Sequence, residues 1–173
     1  MELDLASANT DLRLARAKRD GALVAVMVYG GLRVDEACSL SKKDVQITER
    51  RGRLVVLRGK GDKYREVPLN SEARHWLSEW MAVGGNGSTL FEVDVRMAEK
   101  IVKGIKERAG VNELTPHGLR HTCAKRMVDA GRPLTEVKEI LGHEKLETTA
   151  RYCLPGWEDL EGAVESIMLG HLA

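Results

Sequence analysis

The run GALVAVMVYGG at residues 21–31 constrains the fold more than any other feature of this sequence. It is apolar on all sides, so it must be buried, and its periodicity alone is compatible with a helix or a strand. The residues before it, LRLARAKRD, are good helix formers and favour a helix, which the pair Gly30 and Gly31 ends. The sequence therefore predicts a fold built around a buried helix.

Further helices are predicted at 34–40, 70–81 and 95–110. The first, VDEACSL, has a plausible inner face formed by Val34, Ala37, Cys38 and Leu40. The second, NSEARHWLSEWM, opens with a capping residue and spaces four apolar side chains for a core: Trp76, Leu77, Trp80 and Met81. The third, VRMAEKIVKGIKERAG, is amphipathic and is expected to end at Gly110.

Two more helices are indicated by their end residues. TPHGLRHTCAKRMVDAG has Thr115 as N-cap, Pro116 at the first helical position and Gly131 as the stop. TEVKEILG repeats the pattern, with Thr135 at the start and Gly142 at the end. These segments place the polar residues between 115 and 143 on or beside helix ends.

One stretch, VQITERRGRLVVLRGKGDKYREVPL at 45–69, has the pattern of short strands instead of helices. Turns are expected at Arg51–Gly52 and at 59–62. The predicted fold class is therefore mainly α with a small antiparallel β-sheet.

Composition narrows the class of protein. A chain of 173 residues suits one domain, and 43% apolar with 31% charged residues is typical of soluble globular proteins. No run is long enough to span a membrane, no signal peptide precedes the first helix, and three distant cysteines form no CxxC pair, so we expect a cytoplasmic protein. Net charge is only +1, but residues 51–65 carry six Lys and Arg against one Asp. That end of the molecule could face phosphates.

His117 and Arg120 are three residues apart in or near the first turn of a helix, where backbone N–H groups and the helix dipole favour an anion. They are compatible with a phosphate site or with a solvated, capped helix end. His117 and His121 also have a metal-compatible spacing. Arg120 beside them and the lack of a completing carboxylate or thiol argue against a metal.

Two other cations stand near glycines. Arg33 follows the buried segment and precedes Glu36 by three residues, which suits bidentate phosphate recognition or an ordinary surface ion pair. Lys60 lies between two glycines in the second predicted turn, where it could reach into a groove or remain solvated.

Of three tyrosines, Tyr152 has the most polar surroundings, in LGHEKLETTARYCLPGW at 141–157. Tyr29 ends the apolar run and Tyr64 lies on a predicted strand. Tyr152 is thus the best placed to approach a substrate, although a surface tyrosine near a helix end is the alternative.

Taken in order, GLRVDE, GKGDK with VPL, PHGLRHT and LGHEKLETTARY resemble the motifs of the tyrosine recombinase catalytic domain, found in phage integrases and Xer-type recombinases. The resemblance covers about residues 19–155. It implies the fold of DNA breaking-rejoining enzymes and a site-specific recombinase that cleaves and rejoins DNA through a 3′-phosphotyrosine.

The resemblance also implies a role for each matching residue. Tyr152 would be the nucleophile, and Lys60 would protonate the leaving 5′-oxygen. Arg33 and Arg120 would clamp the phosphate oxygens. His117 and His143 would hydrogen-bond the phosphate, and His117 would also be a candidate proton acceptor. Glu36 would support the site. No cofactor, metal or ATP is implied.

The implied partners are double-stranded DNA and further copies of the chain, as a tetramer on DNA and a monomer when free. One catalytic domain, 1–173, is expected, with a core at 11–155 and a C-terminal helix at 156–173 that docks on a neighbouring subunit or packs on its own domain. Its apolar stripe comprises Trp157, Leu160, Val164, Ile167 and Met168. The N-terminal DNA-clamping domain of the family is expected to be absent, and a bacterial or phage origin with nucleoid association is expected.

Other activities remain open on the residues. A type IB topoisomerase or telomere-resolving enzyme would use the same chemistry, and a silent DNA-binding relative would keep the residues without using them. A phosphatase or nuclease that uses His117 is a fourth, unrelated possibility.

Overall fold

A computed structural model describes residues 2–58, 63–143, 145–150 and 157–165 of the chain. These residues form a mainly helical fold with one three-stranded antiparallel sheet, which confirms the predicted fold class. In chain order the elements are α1 (Glu2–Val28), α2 (Val34–Ser39), a 3₁₀ turn (Lys42–Asp44), β1 (Val45–Ile47), β2 (Gly52–Arg58), β3 (Lys63–Pro68), α3 (Ser71–Met81), α4 (Val95–Ala109), α5 (Pro116–Asp129), α6 (Leu134–Leu141), α7 (Leu146–Ala150) and α8 (Trp157–Glu165).

The apolar half of α1 lies at the centre of the core, as predicted. Leu23, Val26 and Met27 have no exposed surface, and the helix packs against α3 and α5. Burial of each such side chain contributes about 1.5–3 kcal/mol relative to exposure, so this one face accounts for a large part of the hydrophobic driving force. Because α5 packs directly on this helix, its position is set by the buried core.

The prediction for α3 was right for three of four residues. Leu77 and Trp80 are buried and Met81 packs against the core, but Trp76 is 37% exposed. Its ring covers Gly21, since a Cβ added to Gly21 would lie 2.3 Å from a ring carbon of Trp76. The ring therefore occupies the room left by a glycine on α1 and keeps its other side in solvent.

The sheet has the strand order β1-β2-β3 and one buried face. The register pairs Leu54 with Val67 and Val56 with Arg65, and all four side chains are buried. The first turn lies slightly earlier than predicted: Thr48 N–H donates to the Arg51 carbonyl at 2.7 Å, and strand β2 already begins at residue 52. The Thr48 hydroxyl also accepts from the Arg51 N–H, which closes the turn ahead of the glycine.

Two predicted helix ends agree with the structure and one start does not. The Thr115 hydroxyl accepts from Gly118 N–H at 2.9 Å at the start of α5, and Gly110 ends α4 in the left-handed region at φ 64°. Thr135, however, lies inside α6 and does not cap it. The carbonyl of Pro133 accepts from the N–H groups of Glu136 and Val137, so the N-cap is Pro133, two residues before the predicted one.

In the last described helix, α8, two apolar residues are largely exposed. Trp157 is 74% and Val164 67% exposed. Of the other members of the predicted stripe, Leu160 has no described side chain, and Ile167 and Met168 lie outside the described residues. No helix in the described part of the chain combines the length and apolar character that crossing a membrane requires.

Candidate active site

A cavity of about 510 Å³ opens where the starts of α2 and α5 meet the loop after α6. Four of the predicted site residues line it, together with a third histidine and one aspartate: Arg33, Arg120, His117, His143, His121 and Asp35. Residues separated by more than a hundred positions in the sequence are therefore brought to one surface depression.

The chain reaches Arg33 through a tight turn after α1. Gly31 adopts φ 65°, and a Cβ there would lie 2.6 Å from a methyl group of Leu141. Only glycine fits both the left-handed conformation and the close approach of α6. The turn leaves the Arg33 side chain 45% exposed at the cavity.

Glu36 lies behind Arg33 and is the acceptor at the centre of the site. Its carboxylate is 8% exposed and accepts from the Arg33 backbone N–H at 2.8 Å and from Arg33 Nη1 at 3.1 Å. Arg65 of β3 donates to both carboxylate oxygens at 2.8 Å. Burial by itself raises the pKa of Glu36, but the hydrogen bonds from Arg65 and the Arg33 backbone and the charges of both arginines outweigh it and lower the pKa to about 2. Glu36 is therefore ionised at neutral pH.

Arg120 is held by main-chain carbonyls from two different elements. Its side chain is 4% exposed, and it donates to the carbonyls of Gly31 at 2.6 Å and Leu141 at 2.8 Å. Its Nη1 lies 3.8 Å from a Glu36 oxygen. Buried guanidinium groups need such partners, and these fix Arg120 at the cavity wall before any ligand arrives.

His117 lies in the first turn of α5 and is exposed. The positive end of the helix dipole at this turn favours an anion beside it. His121, one turn later, is also exposed and lines the same cavity. The predicted shared face of His117 and Arg120 is thus confirmed, with the histidine in solvent and the arginine buried.

His143 is buried and is positioned by the end of α6. Gly142 adopts φ 68° and turns the chain, so that the His143 N–H donates to the Lys138 carbonyl at 3.1 Å. The imidazole Nδ1 lies 2.9 Å from the Thr149 hydroxyl of α7. Both side chains have little exposure, 6% and 0%, so the ring orientation is determined by the protein.

The electrostatic character of the site is strongly cationic. Three guanidinium groups surround the Glu36 carboxylate within 4 Å, so these four side chains carry a net charge of +2, and the exposed Asp35, which also lines the cavity, lowers the local sum to +1. In a partly buried setting such a surplus attracts an anion, and the planar guanidinium suits phosphate oxygens. Among the described residues, no cluster of histidine, cysteine and acidic side chains has the arrangement of a metal site.

The two cysteines within the described residues, Cys38 and Cys123, are not suited to nucleophilic chemistry. Burial raises the pKa of Cys123, which lies on α5 near Gly31, to about 11, although the nearby charges of Arg120 and Arg126 act in the opposite direction. Burial likewise raises the pKa of Cys38 to about 11. Both groups are protonated at neutral pH and are poor nucleophiles.

Two of the predicted residues, Lys60 and Tyr152, lie outside the described residues. Two others were missed by sequence reasoning: Arg65 and Thr149. The alternation of β3 could have revealed Arg65, since Arg65 and Val67 fall on the same face and Val67 is apolar. Thr149 belongs to a five-residue helix, which is too short for periodicity to indicate its inner face.

Comparison with known proteins identifies relatives of this architecture. The model of the phage integrase family matches residues 5–155. The tyrosine recombinase XerC of Corynebacterium efficiens is 36% identical over 148 residues, which are 78% of this chain and 46% of that protein. The chain thus spans about half the length of such curated relatives.

Two solved structures share the fold. XerH site-specific recombinase bound to its difH substrate, in a pre-cleavage complex, superposes with a TM-score of 0.71 and 28% identity over 86% of this chain and 46% of that one. The catalytic domain of bacteriophage HP1 integrase has a TM-score of 0.60 and 27% identity, with 95% of both chains covered.

Proposed function

The chain belongs to the phage integrase family, and we propose that it is the catalytic domain of a site-specific DNA recombinase. The observation that carries the proposal is the cationic cavity, where Arg33 and Arg120 lie with His117 and His143 beside a cluster of three arginines and Glu36 whose net charge is +2. A phosphodiester carries one negative charge and gains another as the pentacoordinate transition state forms. Preorganised guanidinium groups are suited to stabilise that change.

We assign the phosphate oxygens to Arg33 and Arg120. Arg120 is fixed by two carbonyls and Arg33 is partly open to solvent, so one arginine is rigid and the other can close on the substrate. His143, held by Thr149, and His117, at the helix start, donate hydrogen bonds to the same phosphate. His117 is also the candidate acceptor for the nucleophile's proton, because it lines the cavity and is exposed there.

The covalent step is assigned to Tyr152 and Lys60. The phenol oxygen of Tyr152 attacks the phosphorus, its proton passes to His117, and the bond from phosphorus to the 5′-oxygen breaks. Lys60 gives a proton to the departing 5′-oxygen, so a 3′-phosphotyrosine and a free 5′-hydroxyl result. Attack by a 5′-hydroxyl of another strand reverses these transfers and rejoins DNA, and since the ester bond is conserved no ATP is consumed.

The partner is double-stranded DNA. XerH is a relative whose solved structure contains its difH DNA substrate, and the fold of the present chain is similar to it. The chain forms one catalytic domain, 1–173 with a core at 11–155, and the near-equal length of the HP1 integrase catalytic domain supports that unit. A protein that acts on chromosomal or phage DNA would be located at the nucleoid, in the bacterial cytoplasm.

Self-association on DNA involves the C-terminal segment, 156–173. In its described part, α8, Trp157 and Val164 are largely exposed. Exposed apolar residues at helical spacing fit docking on a neighbouring subunit, and a tetramer assembled on DNA would coordinate cleavage of its four strands, with the free chain monomeric.

The test is covalent capture of DNA. The full chain is incubated with a library of nicked duplexes with a randomised segment, since a nick lets the cleaved end diffuse away and traps the adduct. Adducts that survive denaturant are isolated and their DNA is sequenced. We expect adducts in the presence of EDTA, enriched in one sequence, and none from Tyr152→Phe.

Tyr64→Phe is the matched control, because Tyr64 is a 62% exposed tyrosine on β3 and its variant loses the same hydroxyl. It should form adducts at the wild-type level. Adduct formation by Tyr152→Phe would remove Tyr152 as nucleophile, and failure of the wild type with every library would overturn the proposed function.

Lys60 is tested with the sequence recovered by that selection. Lys60→Ala should cleave ordinary DNA poorly but recover on DNA whose 5′-bridging oxygen is replaced by sulfur, because a thiolate leaves without a proton. Lys63→Ala, three residues along the chain, is the control and should need no rescue. A Lys60→Ala variant that stays slow on the sulfur substrate would exclude Lys60 as the acid.

A further inference from the structure

Arg65 is a buried arginine on the inner face of the sheet. On β3 its neighbours Tyr64 and Glu66 are exposed, whereas Arg65 and Val67 are buried, and Arg65 retains 8% exposure. A guanidinium cannot lose its charge at physiological pH, so burying it costs several kcal/mol unless all of its donors are satisfied. A hydrophobic residue at this position would have filled the core without that cost.

The donors of Arg65 connect three elements. Nη1 and Nη2 donate to the two oxygens of Glu36, each at 2.8 Å, and Nε donates to the Ile140 carbonyl at 2.9 Å. These contacts join β3 to the start of α2 and to the last turn of α6. The three segments are separated by 29 and 75 positions in the sequence, so no local structure holds them together.

Each of these contacts adjoins a residue of the active site. Glu36 holds Arg33 through its backbone N–H and its guanidinium. Ile140 precedes Leu141, whose carbonyl accepts from Arg120. The same turn leads to His143, three residues after Ile140.

We propose that Arg65 is a positioning residue of the recombinase site: it sets the separation of Arg33, Arg120 and His143 by tying Glu36 and the end of α6 to β3. The inference rests on the proposed function and deepens it. Arg65 touches no substrate; it acts through Glu36 and the Ile140 carbonyl. In the sequence, β3 follows the segment that carries Lys60, the proposed acid. The contacts of Arg65 therefore connect the strand after that segment to Arg33 and Arg120, the proposed phosphate ligands.

Arginine is required for this arrangement. Its planar fork can donate to both carboxylate oxygens while Nε donates in another direction. A lysine ammonium is a single point charge and can keep the ion pair with Glu36, but it cannot also span the second oxygen and the Ile140 carbonyl. Arg65→Lys therefore separates the charge of the residue from its geometry.

The decisive measurement is single-turnover adduct formation at saturating DNA, alongside the dissociation constant and the thermal midpoint. The substrate is the nicked duplex recovered from the capture selection. Arg65→Lys should lower the cleavage rate about tenfold to a hundredfold, the usual effect of losing a residue that orients a reacting group. DNA affinity should change little, since both residues carry the same charge and neither contacts DNA.

Arg53→Lys is the matched control. Arg53 lies on the outer face of the same sheet and donates to Glu66 and Gln46 in an exposed pair. It should cleave at the wild-type rate. A merely structural role for Arg65 would reduce adduct formation only in proportion to the unfolded fraction, which circular dichroism measures in the same samples.

Coupling to Glu36 provides a second readout. If Arg65 acts through Glu36, the rate of the double variant Arg65→Lys with Glu36→Gln should be close to that of the slower single variant. The inference would be overturned if the rate reductions of the two single variants multiplied in the double variant. It would also be overturned by a wild-type rate for Arg65→Lys, or by a defect of that variant confined to DNA affinity or to folding. Absence of adducts from the wild type would instead overturn the proposed function, and the inference with it.

Discussion

The same chemical pair occurs on both faces of the sheet with different surroundings. On the inner face, Arg65 and Glu36 meet at 2.8 Å with side chains 7% and 8% exposed. On the outer face, Arg53 and Glu66 also meet at 2.8 Å, but with 48% and 45% exposure. Distance therefore does not distinguish the two pairs, and any difference between them comes from burial and from their further partners.

The difference between the two pairs shows how a fold can keep a net positive charge at a cavity. The outer pair balances its own charges and is screened by water, so it contributes about 0–1 kcal/mol. The inner pair belongs to a cluster with two more arginines, Arg33 and Arg120, which leaves positive charge at the cavity. Burial makes the cluster costly to disrupt and keeps its geometry fixed, and both properties favour binding of a phosphate.

The largest effect should follow removal of the inner carboxylate. Glu36→Gln replaces one acceptor oxygen by an NH₂ group that faces the guanidinium donors, and it should lower the free energy of unfolding by about 3–5 kcal/mol, as for other broken buried pairs. Glu66→Gln, the outer equivalent, should cost less than about 1 kcal/mol. Urea unfolding of both variants measures the difference, and similar losses would show that burial does not separate the two faces.

The second largest effect should be a loss of stability in acid, where the carboxylate of the inner pair becomes protonated. The pKa of Glu36 is about 2 in the folded protein against 4.5 for an ordinary glutamate, so its ionised form stabilises the fold by roughly 3 kcal/mol above pH ~4.5. That contribution declines as pH falls from about 4.5 towards 2, and about 2 kcal/mol of it should be gone near pH 3.

Urea unfolding of the wild type and of Glu36→Gln at neutral pH and near pH 3 checks this dependence. The variant lacks the titrating group, so the gap between the two proteins should narrow in acid. A gap that stays constant would mean that Glu36 is not held ionised by its arginines.

The sequence predicted the polar residues of the cavity better than the buried contacts behind them. Local patterns beside a glycine or a helix start made Arg33, His117 and Arg120 candidates, and the resemblance of the ordered motifs to tyrosine recombinases added His143. The contact between Arg65 and the Ile140 carbonyl joins residues 75 positions apart, and no local pattern encodes which carbonyl a buried arginine will meet.

Helix boundaries show the same limit on a smaller scale. Gly110 and Gly142 were predicted as helix ends and both adopt left-handed φ. Thr135 was predicted as a cap, but Pro133 supplies the first helical carbonyl instead. Trp76 was predicted as core from its spacing, and its partial exposure depends on Gly21 of a different helix, which spacing within α3 cannot reveal.

The buried, uncharged hydrogen bond between Thr149 and His143 tests whether burial or charge makes the inner face sensitive to substitution. Thr149→Val removes the hydroxyl partner of the His143 imidazole while keeping the shape of the side chain. We expect a loss of about 1 kcal/mol in stability, but a roughly tenfold slower cleavage because the ring is no longer oriented.

Thr122→Val is the control for Thr149, because its hydroxyl donates to the Gly118 carbonyl of its own helix. Single-turnover cleavage should remain at the wild-type rate. If Thr149→Val destabilised the fold as much as Glu36→Gln, burial alone would explain the inner face, and the ionic character of the cluster would be incidental.

The smallest effect should belong to the outer pair. A double-mutant cycle with Arg53→Gln and Glu66→Gln should give a coupling energy of about 0.2–1 kcal/mol at low salt. The coupling should become undetectable near 1 M salt, where the Debye length falls to about 3 Å. The destabilisation by Glu36→Gln should persist at the same salt concentration, because salt screens little of the attraction between Glu36 and Arg65, whose side chains are both less than a tenth exposed. Equal salt sensitivity on the two faces would mean that water reaches the inner carboxylate, and preorganisation of the arginines could not then depend on its burial.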